Sequence, residues 1–239
     1  GECIQTRPGF RRHSPQLGGS GNREIYGIHI AKFLEPESGA ESRTAALIHC
    51  GTSLYLWDRY PETMTAAPAV LFSLMNPRRS VSFFMANKLW ILDGKNYLCY
   101  DGGELIDAQA AATVPVTSIG RKPGGGGEPY QQVNLLTPRR RNHFSADGTA
   151  KEYVLDAKDL DTNTVFVELN GETVPAGDGV TGGFTVDRAA GKVTFVNAPA
   201  AAVPEGSDNM VIEFFKTAAG ARERIAGCTM AQVFDGRVF

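Results

Sequence analysis

Gly51-Thr52-Ser53-Leu54-Tyr55-Leu56-Trp57-Asp58 and Ala86-Asn87-Lys88-Leu89-Trp90-Ile91-Leu92-Asp93 are one phrase written twice. Each copy is a turn of small polar residues, a bulky apolar run and a closing aspartate. An apolar, strand-like run precedes each: Ala46-Leu47-Ile48-His49-Cys50 in one case, Val81-Ser82-Phe83-Phe84-Met85 in the other. The second copy continues through Gly94-Lys95-Asn96 into Tyr97-Leu98-Cys99-Tyr100-Asp101-Gly102. Strand–turn–strand units recurring at this spacing are the signature of a radial all-β repeat such as a propeller blade. A blade cannot bury both of its faces alone and needs neighbours. The chain holds too few blades to close a ring, so a partial propeller is expected.

Bulk composition agrees with an all-β reading. Glycine and proline number 27 and 13 in 239 residues, more turn chemistry than a helical protein carries. Hydrophobic residues at 42% against 21% charged mark a globular chain. A net charge of −2 excludes a strongly basic polyanion binder. No apolar stretch approaches the roughly 20 residues of a membrane-spanning helix. The opening Gly1-Glu2-Cys3 is acidic and small, so no secretory leader is expected there. Cys3, Cys50, Cys99 and Cys228 have no metal-ligand spacing and read as buried free thiols in a reducing compartment, with all but Cys3 in strand-like runs.

The patterning predicts four segments. Residues 1–120 are the N-terminal propeller blades, with the first clear strand from Ile25 to Phe33. Between the repeat copies, the run from Met64 to Met75 is broken by Pro68 and holds one short helix at most. Glu104 to Ala112 reads as a helical turn or covering loop. Residues 121–129, Arg-Lys-Pro-Gly-Gly-Gly-Gly-Glu-Pro, read as a linker. Residues 130–217 carry short alternating strands, among them Val165 to Leu169 and Lys192 to Val196, and are expected as an inserted, immunoglobulin-like β-sandwich. Residues 218–239 read as a return to the propeller: a strand from Arg224 to Phe234, an Asp235-Gly236 hairpin turn, and a strand that stops at once. On this layout the sequence is expected to be a portion of a longer protein.

The residues that carry chemistry do not assemble into a catalytic, cofactor-binding or metal site. His49 adjoins Cys50, but neighbours in a strand point to opposite faces. Asp58 and Asp93 close equivalent phrases, where aspartate commonly bonds turn amides. Asp156, Asp159 and Asp161 lack the glycine and distal glutamate of a calcium loop. Gly124 to Gly127 is followed by no Gly-Lys-Ser/Thr and is not a phosphate loop. One basic cluster, Arg139-Arg140-Arg141, is the candidate contact for a phosphate or an acidic partner. Its plainer reading is a solvated connector or an intersubunit salt-bridge site.

Taken in order, Arg7-Pro8-Gly9-Phe10, the phrase from Gly51 to Asp58, Lys88 to Gly94, Tyr97 to Gly102, and Val133-Asn134-Leu135-Leu136-Thr137-Pro138-Arg139-Arg140-Arg141-Asn142 resemble the tail nozzle, or tail stabilization, proteins of short-tailed phages and prophages. The stretch from Phe144 through Pro199 is similar to a β-sandwich module of phage structural proteins. The resemblance implies a propeller with an inserted sandwich. It also implies a homo-oligomeric ring, a hexamer by the family's pattern, contacting portal, adaptor and other tail proteins. It further implies a non-enzymatic virion protein of the phage tail, assembled in the bacterial cytoplasm, with DNA only as non-specific cargo, no cofactor and no catalytic residues. The alternative is a binding module that recognises a host glycan or a tail protein through the sandwich.

Overall fold

The computed structural model describes residues 16–18, 21, 23–34, 42–62, 68–178 and 181–239. The Arg7-Pro8-Gly9-Phe10 phrase, Cys3, His13 and positions 64–67 of the separator lie outside them. Strands in several sheets dominate the described residues and helix is minor, so the fold is all-β. The chain divides into one unit from residues 1–111 with 223–239, and a second from 112–222.

The first unit contains two four-stranded antiparallel meanders. Strands β1 (Ile25–Phe33), β2 (Arg43–Cys50), β3 (Ser53–Trp57) and β4 (Ala69–Phe72) pair in chain order. So do β5 (Val81–Met85), β6 (Lys88–Leu92), β7 (Tyr97–Tyr100) and β8 (Leu105–Asp107), followed by the single turn α1 (Ala108–Ala111). Two-residue turns close the first hairpin of each phrase. Ala86 and Asn87, at φ 53° and 55°, both take the left-handed backbone that matches strand twist in a tight hairpin. Period-two alternation then selects one face. Along β1, His29, Ala31 and Phe33 are buried while Ile28, Ile30 and Lys32 are exposed.

The buried faces of the two meanders share one core. Ala31, Phe33, Leu47 and Leu54 from the first pack with Leu89, Ile91, Leu98 and Tyr100 from the second. Phe33 meets the Tyr100 ring edge-on at 5.5 Å. Each fully buried leucine contributes about 2 kcal/mol of transfer free energy. On the second meander's other face, Trp90 stacks on Phe83 and donates its Nε1 to the Met85 carbonyl.

The two phrases occupy different strand positions. The first spans the β2–β3 hairpin, the second and third strands of its sheet. The second spans β5–β6, the first and second strands of its own. The repeat is therefore a hairpin repeat displaced by one strand. What it preserves is facing: Leu54 and Leu89 occupy matching places and both enter the shared core. A two-residue turn plus alternation is enough to write that phrase at either position.

The second unit is two sheets around one core. Strands β9 (Val116–Arg121), β10 (Glu128–Pro129), β11 (Arg139–Phe144), β12 (Glu152–Val154), β13 (Phe166–Leu169), β14 (Glu172–Val174), β15 (Phe184–Asp187), β16 (Lys192–Phe195) and β17 (Met210–Phe215) build it. Six strands run in the order β10-β9-β11-β17-β13-β14 and three in the order β12-β16-β15. Phe144, Val167, Met210, Ile212 and Phe214 from the larger sheet pack against Tyr153, Phe184, Val193 and Phe195 from the smaller. The β9–β11 pair is parallel and the other pairs of the unit are antiparallel.

Three expectations are corrected here. Residues 121–129 are not a linker: they form the end of β9, a glycine turn bridged from Lys122 to Gly125, and β10 within the larger sheet. The sandwich accordingly begins before Tyr130. Its anchor is Arg121, only 7% exposed. Its Nη1 donates to the Gly126 carbonyl at 2.7 Å and the Ser118 hydroxyl at 3.1 Å, its Nη2 donates to the Val154 carbonyl at 2.8 Å, and the guanidinium lies over the Phe144 ring. A low-complexity run is thus ordered by one buried cation that joins the two sheets. Arg121→Met is expected to cost about 2 kcal/mol, because it removes the hydrogen bonds to the Gly126 and Val154 carbonyls and the Ser118 hydroxyl while leaving the apolar stem in place. Hydrogen exchange at residues 116–126 and 152–154 checks it, and unchanged protection there would refute the strut.

The other two corrections concern single elements. Ala69 to Phe72 is the strand β4 where at most a short helix was expected. In the C-terminal stretch, the strand expected from Arg224 begins instead as the helix α2 (Ala221–Ala226), whose alanines, arginines and glutamate are good helix formers. The hairpin after it does form, as β18 (Val233–Phe234) and β19 (Arg237–Val238), with Asp235 and Gly236 both at positive φ. β18 lies against β5, and β5 in turn lies against β1.

Candidate functional site

The most concentrated polar chemistry of the first unit lies between β1, β2 and the start of β5. His29, His49 and Ser80 are 4%, 0% and 6% exposed. His49 Nε2 sits 3.1 Å from the Gly51 carbonyl, and its Nδ1 is 3.0 Å from the Ser80 hydroxyl. His29 Nε2 is 2.8 Å from the same hydroxyl, and its Nδ1 is 2.9 Å from the Ser82 hydroxyl.

Donor bookkeeping fixes the protons. A carbonyl only accepts, so His49 carries its proton on Nε2 and accepts at Nδ1 from Ser80. Ser80, its own hydrogen committed, accepts from His29 Nε2. His29 then accepts at Nδ1 from Ser82. Both imidazoles are neutral and every bond in the chain has one donor. The Ser80 amide donates to the Tyr26 carbonyl at 3.1 Å, which seats the serine against β1. Gly27 makes room for it: a Cβ there would lie 2.7 Å from His29 Nε2 and closer still to the Ser80 hydroxyl.

Burial lowers the His29 pKa to about 4, helped by the neighbouring His49, and burial also lowers that of His49. The Gly51 carbonyl and Asp93 act on His49 in the opposite sense. A histidine whose folded pKa lies below its unfolded value of 6.5 binds its proton in the unfolded chain first. Stability therefore falls as pH drops from about 6.5 to 4 and levels off below that. His29 alone accounts for a loss of about 3 kcal/mol across that window. The carboxylates with lowered values, Asp101 and Asp147, act only below 3.8 and leave the window to the histidines. Both tryptophans, Trp57 and Trp90, belong to this unit, so denaturant unfolding followed by tryptophan emission at pH 7 and 4.5 reads the loss. His29→Gln is expected to flatten the profile; an equally steep profile in that variant refutes the assignment.

The sequence candidates are dispersed. His49 turns to Ser80, while the Cys50 thiol, buried and free, is pushed up in pKa by burial. Cys99 is likewise buried and free, whereas Cys228 is exposed just past α2. Asp58 is exposed and pairs with Arg43 Nε at 3.1 Å. Asp93 is buried and accepts from the amides of Asn76, Lys95 and Asn96. Asp156 accepts from the Thr117 hydroxyl and Asp161 from Thr217, so the three nearby aspartates do not converge.

The basic cluster is absorbed by the sheet of the second unit. Arg139 Nε and Arg141 Nε each donate at 2.8 Å to Glu213, whose side chain is only 7% exposed, and Arg140 Nη2 donates to the Lys216 carbonyl at 3.1 Å. Residues two apart in β11 share a face, and Glu213 lies directly opposite Arg141 on β17. They are not a connector: the three arginines open strand β11, and the pairing seen is within the chain.

Sequence reasoning missed Ser80 and His29. Its available signal was the inward parity of His29 with Ala31 and Phe33, a polar residue on an apolar stripe. Nothing in the sequence ties Ser80 to it. Among the described residues, no group of histidine, cysteine and acidic side chains is arranged to hold a metal ion, and no helix is long and apolar enough to cross a membrane. Set against models of protein families, curated proteins and solved structures, the chain matches none.

Proposed function

We propose that the chain is a non-enzymatic structural protein of a phage virion, part of the tail tube or nozzle ring through which DNA leaves. The observation that carries the reading is serial contact of first strands. β1 and β5 open successive meanders, β18 opens the next hairpin, and β1 lies by β5 as β5 lies by β18. That is how inner strands of successive propeller blades follow one another around an axis. The ordered phrases resembling tail nozzle proteins supply the identity of the assembly. A sandwich, immunoglobulin-like by its short alternating strands, is then an insertion between blades, since residues 112–222 interrupt the first unit. Rigid blades and one head-to-tail interface repeated around an axis allow closure of a ring. A near-neutral chain lets DNA slide, where a strongly basic lumen would hold it.

The glycan- or protein-recognition alternative asks for clustered exposed aromatics on the sandwich. Its exposed pair, Tyr130 and Phe166, sits at β10 and at β13, with three strands between. Light scattering of the protein, alone and with a portal or adaptor protein of a short-tailed phage, tests the proposal. A ring-sized mass, hexameric by resemblance, is expected in one of these conditions. A monomer that ignores such partners would overturn it.

A further inference from the structure

At the outer ends of β2 and β3, wholly within the first unit, the surface opens into a cavity of about 450 Å³. That volume suits a small metabolite. Among the described residues, Ser42, Arg43, Thr44, Arg59, Tyr60, Pro61 and Glu62 line it. Five of these seven side chains are hydrogen-bond donors, and Glu62 is the one carboxylate among them.

The donors divide into fixed and unspent. Arg43 is fixed: it pairs with Asp58, and its Nη2 donates to the Tyr100 hydroxyl at 3.1 Å and to the Gly102 carbonyl. The Ser42, Thr44 and Tyr60 hydroxyls and the Arg59 guanidinium make no hydrogen bond or ion pair with described residues. Arg59 is held in the left-handed backbone at φ 57°, an uncommon state for a side chain of its size, with its carbonyl tied to the Glu62 amide at 2.9 Å. Strain of this kind persists where a turn must aim a side chain. The Tyr60 ring is braced edge-on by Trp57 at 5.0 Å, and Trp57 is itself fastened through Nε1 to the Glu62 carbonyl. A rigid aromatic wall therefore stands beside the free donors.

We propose that this cavity binds a small phosphorylated sugar. Unspent hydroxyl and guanidinium donors match a phosphate group, which only accepts at neutral pH, and a guanidinium fork suits its geometry. Glu62 supplies the acceptor that sugar hydroxyls require, and the Tyr60 face supplies apolar contact for the ring carbons. The site stands on the first unit alone and is independent of any ring assembly.

Titration calorimetry of the protein with glucose 6-phosphate, glucose, inorganic phosphate and a ten-nucleotide single strand tests it. Glucose 6-phosphate is expected to bind with a submillimolar Kd, at least tenfold tighter than inorganic phosphate, with glucose silent. Arg59→Ala and Thr44→Val are each expected to weaken it tenfold or more, and Arg59→Lys less. Arg59→Gly keeps the backbone relaxed and controls for folding. Silence with the sugar phosphate, equal binding by the Arg59→Ala and parent proteins, or binding of the oligonucleotide alone would each overturn the proposal. Inorganic phosphate binding as tightly as the sugar phosphate would overturn the sugar assignment.

Discussion

Gly27→Ala is expected to destabilise the first unit by about 4 kcal/mol. The backbone of Gly27 is not in the left-handed region, so alanine meets no conformational penalty there. On backbone grounds alone the change should stabilise slightly, by about 0.5 kcal/mol, through the unfolded chain. Space reverses the sign. The new Cβ would stand 2.7 Å from His29 Nε2 and 2.9 Å from Cε1, and closer to the Ser80 hydroxyl. Neither neighbour is the loose end of a flexible chain: Ser80 is held through its amide and hydroxyl, and His29 through both ring nitrogens. Overpacking of this kind costs about 1–3 kcal/mol, and breaking a link of the buried relay leaves donors without acceptors at about 1–3 kcal/mol more. Urea unfolding followed by tryptophan emission measures it. Gly103→Ala, at an exposed glycine of the same unit where the nearest atom to a new Cβ is Asp101 Oδ1 at 3.7 Å, is the control and should change little. A loss below about 1 kcal/mol for Gly27→Ala would mean the relay yields, and that its geometry is not a constraint on the fold. In the double variant with Ser80→Ala, the combined loss should fall short of the sum of the singles, as expected for residues in contact.

What the sequence made legible was periodic, and what it hid was long-range. Alternation along Ile25 to Phe33 and along Val165 to Leu169, with the glycine and asparagine turns between strands, announced an all-β chain. The hairpin phrase was visible because a two-residue turn and five alternating positions are local. Its strand position was not visible, since nothing inside a hairpin states which edge pairs next. The run from Arg121 to Pro129 was misread because its order comes from outside it. Arg121 reaches the Val154 carbonyl across 33 positions, and no local pattern encodes that reach. Arg139 and Arg141 were legible as a basic cluster, but their partner Glu213 lies more than 70 positions on. The Ser80 relay joins residues 51 and 31 positions apart, and short polar side chains on separate strands carry no shared signal. Helix formers at 221–226 were overlooked because the apolar residues after them suggested a strand; local propensity prevails there.

Asp93→Ala is expected to cost about 4 kcal/mol, and Asp58→Ala less than about 1. The two aspartates close equivalent phrases, so sequence alone gives them one role. Their surroundings separate them. Asp93 is 1% exposed and accepts four hydrogen bonds: from the amides of Asn76 at 2.8 Å, Lys95 at 2.9 Å and Asn96 at 2.6 Å, and from Asn96 Nδ2 at 2.8 Å. Its own carbonyl accepts from Asn76 Nδ2 at 3.1 Å. One carboxylate thus shapes the β6–β7 turn and ties it to the segment entering β5. Bonds to an ionised acceptor contribute about 1.5–3 kcal/mol each when measured singly, and their losses are not additive. Alanine removes all four acceptances and leaves the freed amides to find water. Asp93→Asn keeps one oxygen but turns an NH₂ toward donors, so an intermediate loss of about 2 kcal/mol is expected. Asp58 is half exposed, and its pair with Arg43 is a surface ion pair of small worth. Urea midpoints of the three variants, read by tryptophan emission, measure the order Asp93→Ala, Asp93→Asn, Asp58→Ala. Equal midpoints for the two alanine variants would refute the structural asymmetry. They would restore the reading in which both carboxylates serve one structural purpose at the ends of their phrases.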